Sequence, residues 1–129
     1  MYSVKEAAEI LGLNPHTVRY YANMDLIPTL TRDQTGKRLF DDDGIAYLQG
    51  VVFLRNCGMS IDGIREYFDL VQQGDGTLPE RYQMILAQKA NLERQIDKLL
   101  ESQQYIEKKL ALYFSQMQAE DETAGANPL

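Results

Sequence analysis

Apolar residues recur along this chain with the three- and four-residue spacing of helices, in short blocks through the first half and one long block through the second. The first block, Val4, Ala7, Ala8 and Leu11, opens with Ser3-Val4-Lys5-Glu6, a capping box. It closes at Gly12, a residue suited to the left-handed backbone that ends many helices. A second helix is predicted to start at Asn14-Pro15. The asparagine can accept from a first-turn amide, and proline at the first helical position gives up no hydrogen bond. Val18 then faces the first helix, while His16, Thr17, Arg19, Tyr20 and Tyr21 are left as candidates for the outer side. Two short helices meeting across a tight turn form a helix-turn-helix, whose second helix enters the major groove of DNA.

On that outer face Arg19 and Tyr20 can reach phosphate oxygens, and His16 or Thr17 can reach base edges. A lone surface histidine is more often simply solvated, and Tyr21 fits the core of a small domain as well as it fits a duplex. Downstream, Leu30-Thr31-Arg32 and Arg38-Leu39-Phe40 are short extended pieces around Asp33-Gln34-Thr35-Gly36, which reads as a small hairpin. Arg32, Lys37 and Arg38 cluster on it. Charged hairpins are ordinary surface features, but beside a recognition helix three cations are placed to straddle a phosphate backbone.

The pattern then predicts a third helix from Asp42 to about Cys57, with Ile45, Leu48, Val51, Val52 and Leu54 as its apolar set and Gly58 as its stop. Ser60 caps a fourth, whose stripe of Ile61, Ile64, Tyr67, Phe68 and Val71 runs to the Gly74-Asp75-Gly76 break. These pieces supply one compact core, so a first domain is expected over residues 1–76. After Pro79 no glycine or proline appears until Gly125, and helical periodicity continues to about Met117, roughly 58 Å at 1.5 Å per residue.

Along that long block, Ile85, Leu92, Leu99, Ile106 and Tyr113 share one heptad position, and Tyr82, Lys89, Ile96, Gln103, Leu110 and Met117 share the other. The stripe is longer than a small domain can cover, so a second copy of the chain is the economical partner, with residues 77–118 as a dimerisation helix and a homodimer as the expected state. The polar Lys89 and Gln103 interrupt the seam and can fix register. Residues 119–129, opening with acidic Glu120, Asp121 and Glu122, read as a flexible acidic tail.

Composition changes the picture in two places. The 129 residues and 44% hydrophobic content suit one folded domain plus a long helix, with no apolar run of membrane-spanning length and no signal-peptide pattern, so no membrane role and a cytoplasmic location are expected. The net charge of −6 argues against binding a polyanion, yet its distribution favours it. Arg19, Arg32, Lys37 and Arg38 outweigh Asp25 and Asp33 between residues 14 and 40, and the acidic excess lies in residues 41–75. With one cysteine and one histidine, a thiolate metal site within one chain is not expected, nor is any cofactor. No constellation of nucleophile, acid and base suggests an enzyme, and Asp41-Asp42-Asp43 is most simply a helix N-terminal cluster.

From Tyr2 to about Phe68 the chain resembles the DNA-binding domain of the MerR family of bacterial transcription regulators. The residues that carry the resemblance are Tyr2-Ser3-Val4, Thr17-Val18-Arg19-Tyr20-Tyr21, Leu26-Ile27-Pro28, Gly36-Lys37-Arg38-Leu39-Phe40 and Leu54-Arg55-Asn56-Cys57-Gly58-Met59-Ser60-Ile61. It implies a mainly α fold: a winged helix-turn-helix domain followed by a long dimerisation helix in an antiparallel coiled coil. It also implies a homodimer that bends and untwists a promoter with an overlong spacer so that RNA polymerase engages. The segment from Gly74 onward is similar to a small subgroup associated with aldehyde or electrophile stress, which places a single cysteine where this chain has Phe53. Cys57 lies one turn later and is a candidate redox sensor, although a small buried hydrophobe is the commoner fate of a free cysteine. Asp25 stands where glycine is usual after the recognition helix, Ala22 replaces a frequent acidic residue and Lys37 a frequent wing tyrosine. An excisionase-like architectural protein without a direct transcription role is the alternative reading, and a coiled coil that has lost DNA binding is a third. The inducer, if one exists, is not legible.

Overall fold

The computed structural model describes residues 1–122 of the chain, and these residues are mainly helical. Helix α1 (Val4–Leu11) begins with the reciprocal cap: the Glu6 amide donates to Ser3 Oγ at 3.1 Å, and the Ser3 amide donates to Glu6 Oε1 at 3.0 Å. Gly12 ends it with φ 65°, a left-handed conformation that glycine adopts without a Cβ penalty. Helix α2 (Pro15–Asn23) starts under the Asn14 cap, whose Oδ1 accepts from the His16 amide at 2.8 Å. The chain leaves α2 through Asp25, which has φ 55° where a glycine would carry no strain.

Two short antiparallel strands follow, β1 (Thr31–Arg32) and β2 (Arg38–Leu39), with Thr31 opposite Leu39 and Arg32 opposite Arg38. Leu30 and Phe40 lie outside the ladder; Phe40 instead exchanges backbone hydrogen bonds with Tyr2 at 2.7 and 2.8 Å, which ties the hairpin to the start of α1. Helix α3 (Asp42–Asn56) is capped by Asp41, whose Oδ1 accepts from the Gly44 amide at 2.6 Å and from Thr29 Oγ1 at 2.7 Å. A Cβ on Gly44 would sit 3.0 Å from that carboxylate oxygen and 3.3 Å from Thr29 Oγ1, so a larger residue there would press on the cap. The Thr29 hydroxyl, then the Gly44 amide, hold the Asp41 carboxyl below its usual range. Helix α4 (Ile61–Gln72) starts under Ser60, which accepts from Gly63 at 3.0 Å.

The core lies where these helices meet. Ala7 and Ala8 of α1, Val18 and Ala22 of α2, Leu26 and Ile27 after it, Phe40, Leu48, Val51 and Leu54 of α3, and Met59, Ile64 and Phe68 are buried together. Each large side chain among them contributes about 1.5–3 kcal/mol by leaving water. Ile45, Ile61, Tyr67 and Tyr21 are half-buried against this cluster.

A 3-10 turn (Asp75–Thr77) leads directly into α5 (Leu78–Glu122). Thr77 is buried, and its hydroxyl hydrogen-bonds the carbonyls of Leu70 and Gly74. Arg81 donates to Thr77 Oγ1 at 3.0 Å and to the Gly74 carbonyl at 3.1 Å, and Met84 packs on the core. The first compact unit takes in this start of α5 and runs to Asn91; a second begins at Leu92. The helix also runs five residues past Met117, so Glu120, Asp121 and Glu122 are helical rather than part of a flexible tail. The rest of the expected tail, residues 123–129, lies outside the described residues.

No described residue of α5 is fully buried. Tyr82, Ile85, Leu92, Ile96, Leu99, Ile106, Leu110 and Tyr113, the expected seam, are all exposed, from 39% at Leu92 to 70% at Leu99.

Candidate nucleic-acid interface

Burial of Val18 and Ala22 fixes the rotation of α2 and thereby decides which residues it shows to solvent. His16, Arg19 and Tyr20 are exposed and Thr17 is half-buried. His16 Nδ1 lies 3.4 Å from Arg19 Nη1, so the two polar groups share one patch. Tyr21 is half-buried and packs against the core, while its ring meets that of Tyr20 edge-on, with centroids 5.4 Å apart. The exposed tyrosine is thus buttressed by the half-buried one.

The hairpin is built around Asp33. Its Oδ1 accepts from the Thr35 hydroxyl at 2.6 Å and from the Thr35 and Lys37 amides at 2.8 and 2.9 Å, while Gly36 takes φ 85°. The Thr35 hydroxyl, followed by the Lys37 amide, keeps the Asp33 carboxyl below the ordinary range, so the turn is held by an ionised aspartate. Around this turn stand the three cations. Arg32 is exposed and donates to the Gly36 carbonyl at 2.8 Å; Lys37 is exposed; Arg38 is half-buried and hydrogen-bonds Asn23 Oδ1 at the end of α2.

Arg32 and Arg38 face one another across the ladder. Like charges in such a pair repel, and an anion at that edge relieves the repulsion. The wing and the end of α2 enclose a groove of about 710 Å³, lined in part by Asn23, Asp25, Arg32 and Arg38. A second groove, about 530 Å³, lies between the wing and the first turn of α1, where Lys5 joins Arg19, Lys37 and Arg38. Sequence reasoning did not select Lys5 or Asn23, because 32 or more residues separate Lys5 from Lys37 and Arg38, and 15 separate Asn23 from Arg38. Only the folded chain brings them together.

Comparison with known proteins gives the chain a family. Residues 2–70 match the family model of MerR HTH family regulatory proteins, and residues 45–108 match a second model described as MerR, DNA binding. The chain belongs to the MerR family. Within that family it is 34% identical over 112 residues to an uncharacterized HTH-type transcriptional regulator of Haemophilus influenzae, an alignment covering 87% of this chain and 83% of that one. It is similar in structure to HiNmlR, a MerR family regulator lacking the sensor domain and solved bound to promoter DNA, with TM-score 0.75, 33% identity, and coverage of 88% and 90%. A MerR family regulator from Bacillus thuringiensis is likewise similar, with TM-score 0.78, 30% identity, and coverage of 87% and 98%. This MerR protein is accordingly a DNA-binding transcription regulator and not an enzyme.

Cys57 is half-buried rather than part of the core, and it closes α3. The nearby Arg55 guanidinium donates to the Met59 carbonyl at 2.8 Å. Phe53, at the position where the similar subgroup carries its thiol, is 61% exposed. Among the described residues no cluster of three or more His, Cys, Asp or Glu is placed to hold a metal ion, and no helix is long and apolar enough to cross a membrane.

Proposed function

We propose that the protein is a homodimeric regulator that sets two copies of α2 and its wing on a palindromic promoter site. His16, Thr17, Arg19, Tyr20 and Tyr21 form the recognition-helix side of the interface, with Arg32, Lys37 and Arg38 on the wing. Residues 1–76 act as the DNA-binding domain and residues 77–118 as the dimerisation helix, paired in an antiparallel coiled coil through Tyr82, Ile85, Leu92, Ile96, Leu99, Ile106, Leu110 and Tyr113. The observation that carries the reading is the convergence of Arg19, Lys37 and Arg38 on one grooved face, next to the cross-strand Arg32–Arg38 pair. A phosphate backbone is the ligand that suits such a face.

Dimerisation is supported by the exposed apolar seam, since a helix with no covering surface in its own chain gains stability from an identical partner. Promoter binding is supported by HiNmlR, which was solved on promoter DNA and is similar over most of both chains. On this reading the dimer distorts the promoter spacer, with the deformation energy offset by the contacts that bending permits, and RNA polymerase engages the reshaped site. Such a protein works in the cytoplasm, where promoter DNA is found in bacteria.

A gel-shift titration tests the assigned face. Replacing Arg19 and Arg38 together with alanine is expected to weaken promoter binding at least tenfold with helix content unchanged. Unaltered affinity would remove α2 and the wing from the interface.

A further inference from the structure

The groove between the wing and the first turn of α1 is a feature that the recognition helix alone does not explain. It gathers Lys5, Arg19, Lys37 and Arg38 from α1, α2 and the wing beside Ser3 and Val4. Among the described residues none of these four cations forms an ion pair. Two carboxylates near them in sequence are held by backbone amides. Glu6 accepts from the Ser3 amide in the capping box, and Asp33 accepts from the Thr35 and Lys37 amides in the hairpin turn. The four cations therefore share a concave site in which none is directly paired, on a chain whose net charge is −6.

We infer that this groove seats a phosphodiester of the bound duplex, and that Lys5 is a DNA-backbone contact placing α1 in the interface beside α2 and the wing. The occupant is the duplex rather than another anion because the groove is continuous with the recognition face: Arg19 belongs to both, and Arg38 borders both grooves. The first residues of α1, Val4 and Lys5, also line the groove. The inference rests on the DNA-binding reading above and adds one phosphate to it.

The test uses the full chain and a mixed-sequence duplex of about 30 base pairs, long enough for half-sites one helical turn apart, because backbone contacts do not depend on sequence. Fluorescence anisotropy over a salt series is expected to show Lys5→Ala binding about threefold to tenfold more weakly. Its log-log salt dependence should be shallower by about one per subunit, the change expected when one phosphate is no longer neutralised. Lys5→Arg should restore both. Because Lys5 is exposed, the melting transition of each variant should match the parent. A Lys5→Ala protein with parental affinity and slope, alongside an Arg19→Ala protein that binds weakly, would overturn the α1 contact and leave the recognition face standing. A parent that binds no duplex at low salt would overturn both.

Discussion

The first unit and the far part of α5 obey opposite rules. In the first, each helix from α1 to α4 has a side-chain cap and buries its apolar face against its neighbours, so Leu48 and Ile64 are fully inaccessible to solvent. In the second, leucines and isoleucines of the same chemistry remain open, with Leu99 at 70% and Leu110 at 64% exposure. Local signals and a closed core let the first unit fold on its own contacts. The long helix has intact backbone bonds but an uncovered apolar face, and marginal helices of this kind draw their stability from packing on something else. Helices α1 to α4 bury a core among themselves; the described residues leave the far part of α5 uncovered.

Leu48→Ala is the sharpest way to break the first half. Removing a fully buried leucine should cost about 2–5 kcal/mol and lower the denaturant midpoint of the N-terminal transition, leaving α5 residues beyond Leu92 untouched in hydrogen exchange. Charging the seam addresses the other half. Leu99→Glu combined with Ile106→Glu should convert dimer to monomer in sedimentation and reduce promoter affinity about a hundredfold, the scale expected when two linked binding events no longer act together. A dimer that survived this change would move the interface off the heptad positions.

Smaller perturbations separate capping from packing. Asn14→Ala removes the acceptor at the start of α2 and should destabilise the N-terminal unit by about 1 kcal/mol in chemical denaturation, with no effect on association. The wing should respond to acid. Asp33 titrates below its ordinary value of 3.8 because the Thr35 hydroxyl and the Lys37 amide favour the carboxylate. Its contribution is therefore complete above that value and disappears as pH falls through the lower folded pKa. In an NMR titration the Thr35 and Lys37 amide shifts should move with a midpoint under 3.8, and a midpoint at or above it would remove Asp33 as the keystone of the turn.

The winged helix-turn-helix was legible because its signals are local. Ser3 with Glu6, Gly12, Asn14 with Pro15, and Ser60 each specify a boundary within a few residues, and each stands where sequence placed it. Asp25 occupies a position that favours glycine, and it does adopt positive φ. The end of α5 was less legible. Its apolar stripe stops at Met117, but the residues just beyond it include no glycine or proline to break the helix, which continues to Glu122. Arg81 and Met84 were hidden for a related reason: periodicity describes one helix, whereas their contacts with the Thr77 turn and the core depend on tertiary placement. The same holds for the Lys5 groove and the Asn23–Arg38 bond, which only folding assembles.

That last bond has a mechanical consequence. Arg38 links β2 to Asn23 at the end of α2, and one residue further on the Met24 carbonyl accepts from Arg65 of α4. Wing, recognition helix and scaffold are thus joined in series by two side-chain hydrogen bonds. A load on the wing can therefore pass through the end of α2 to α4.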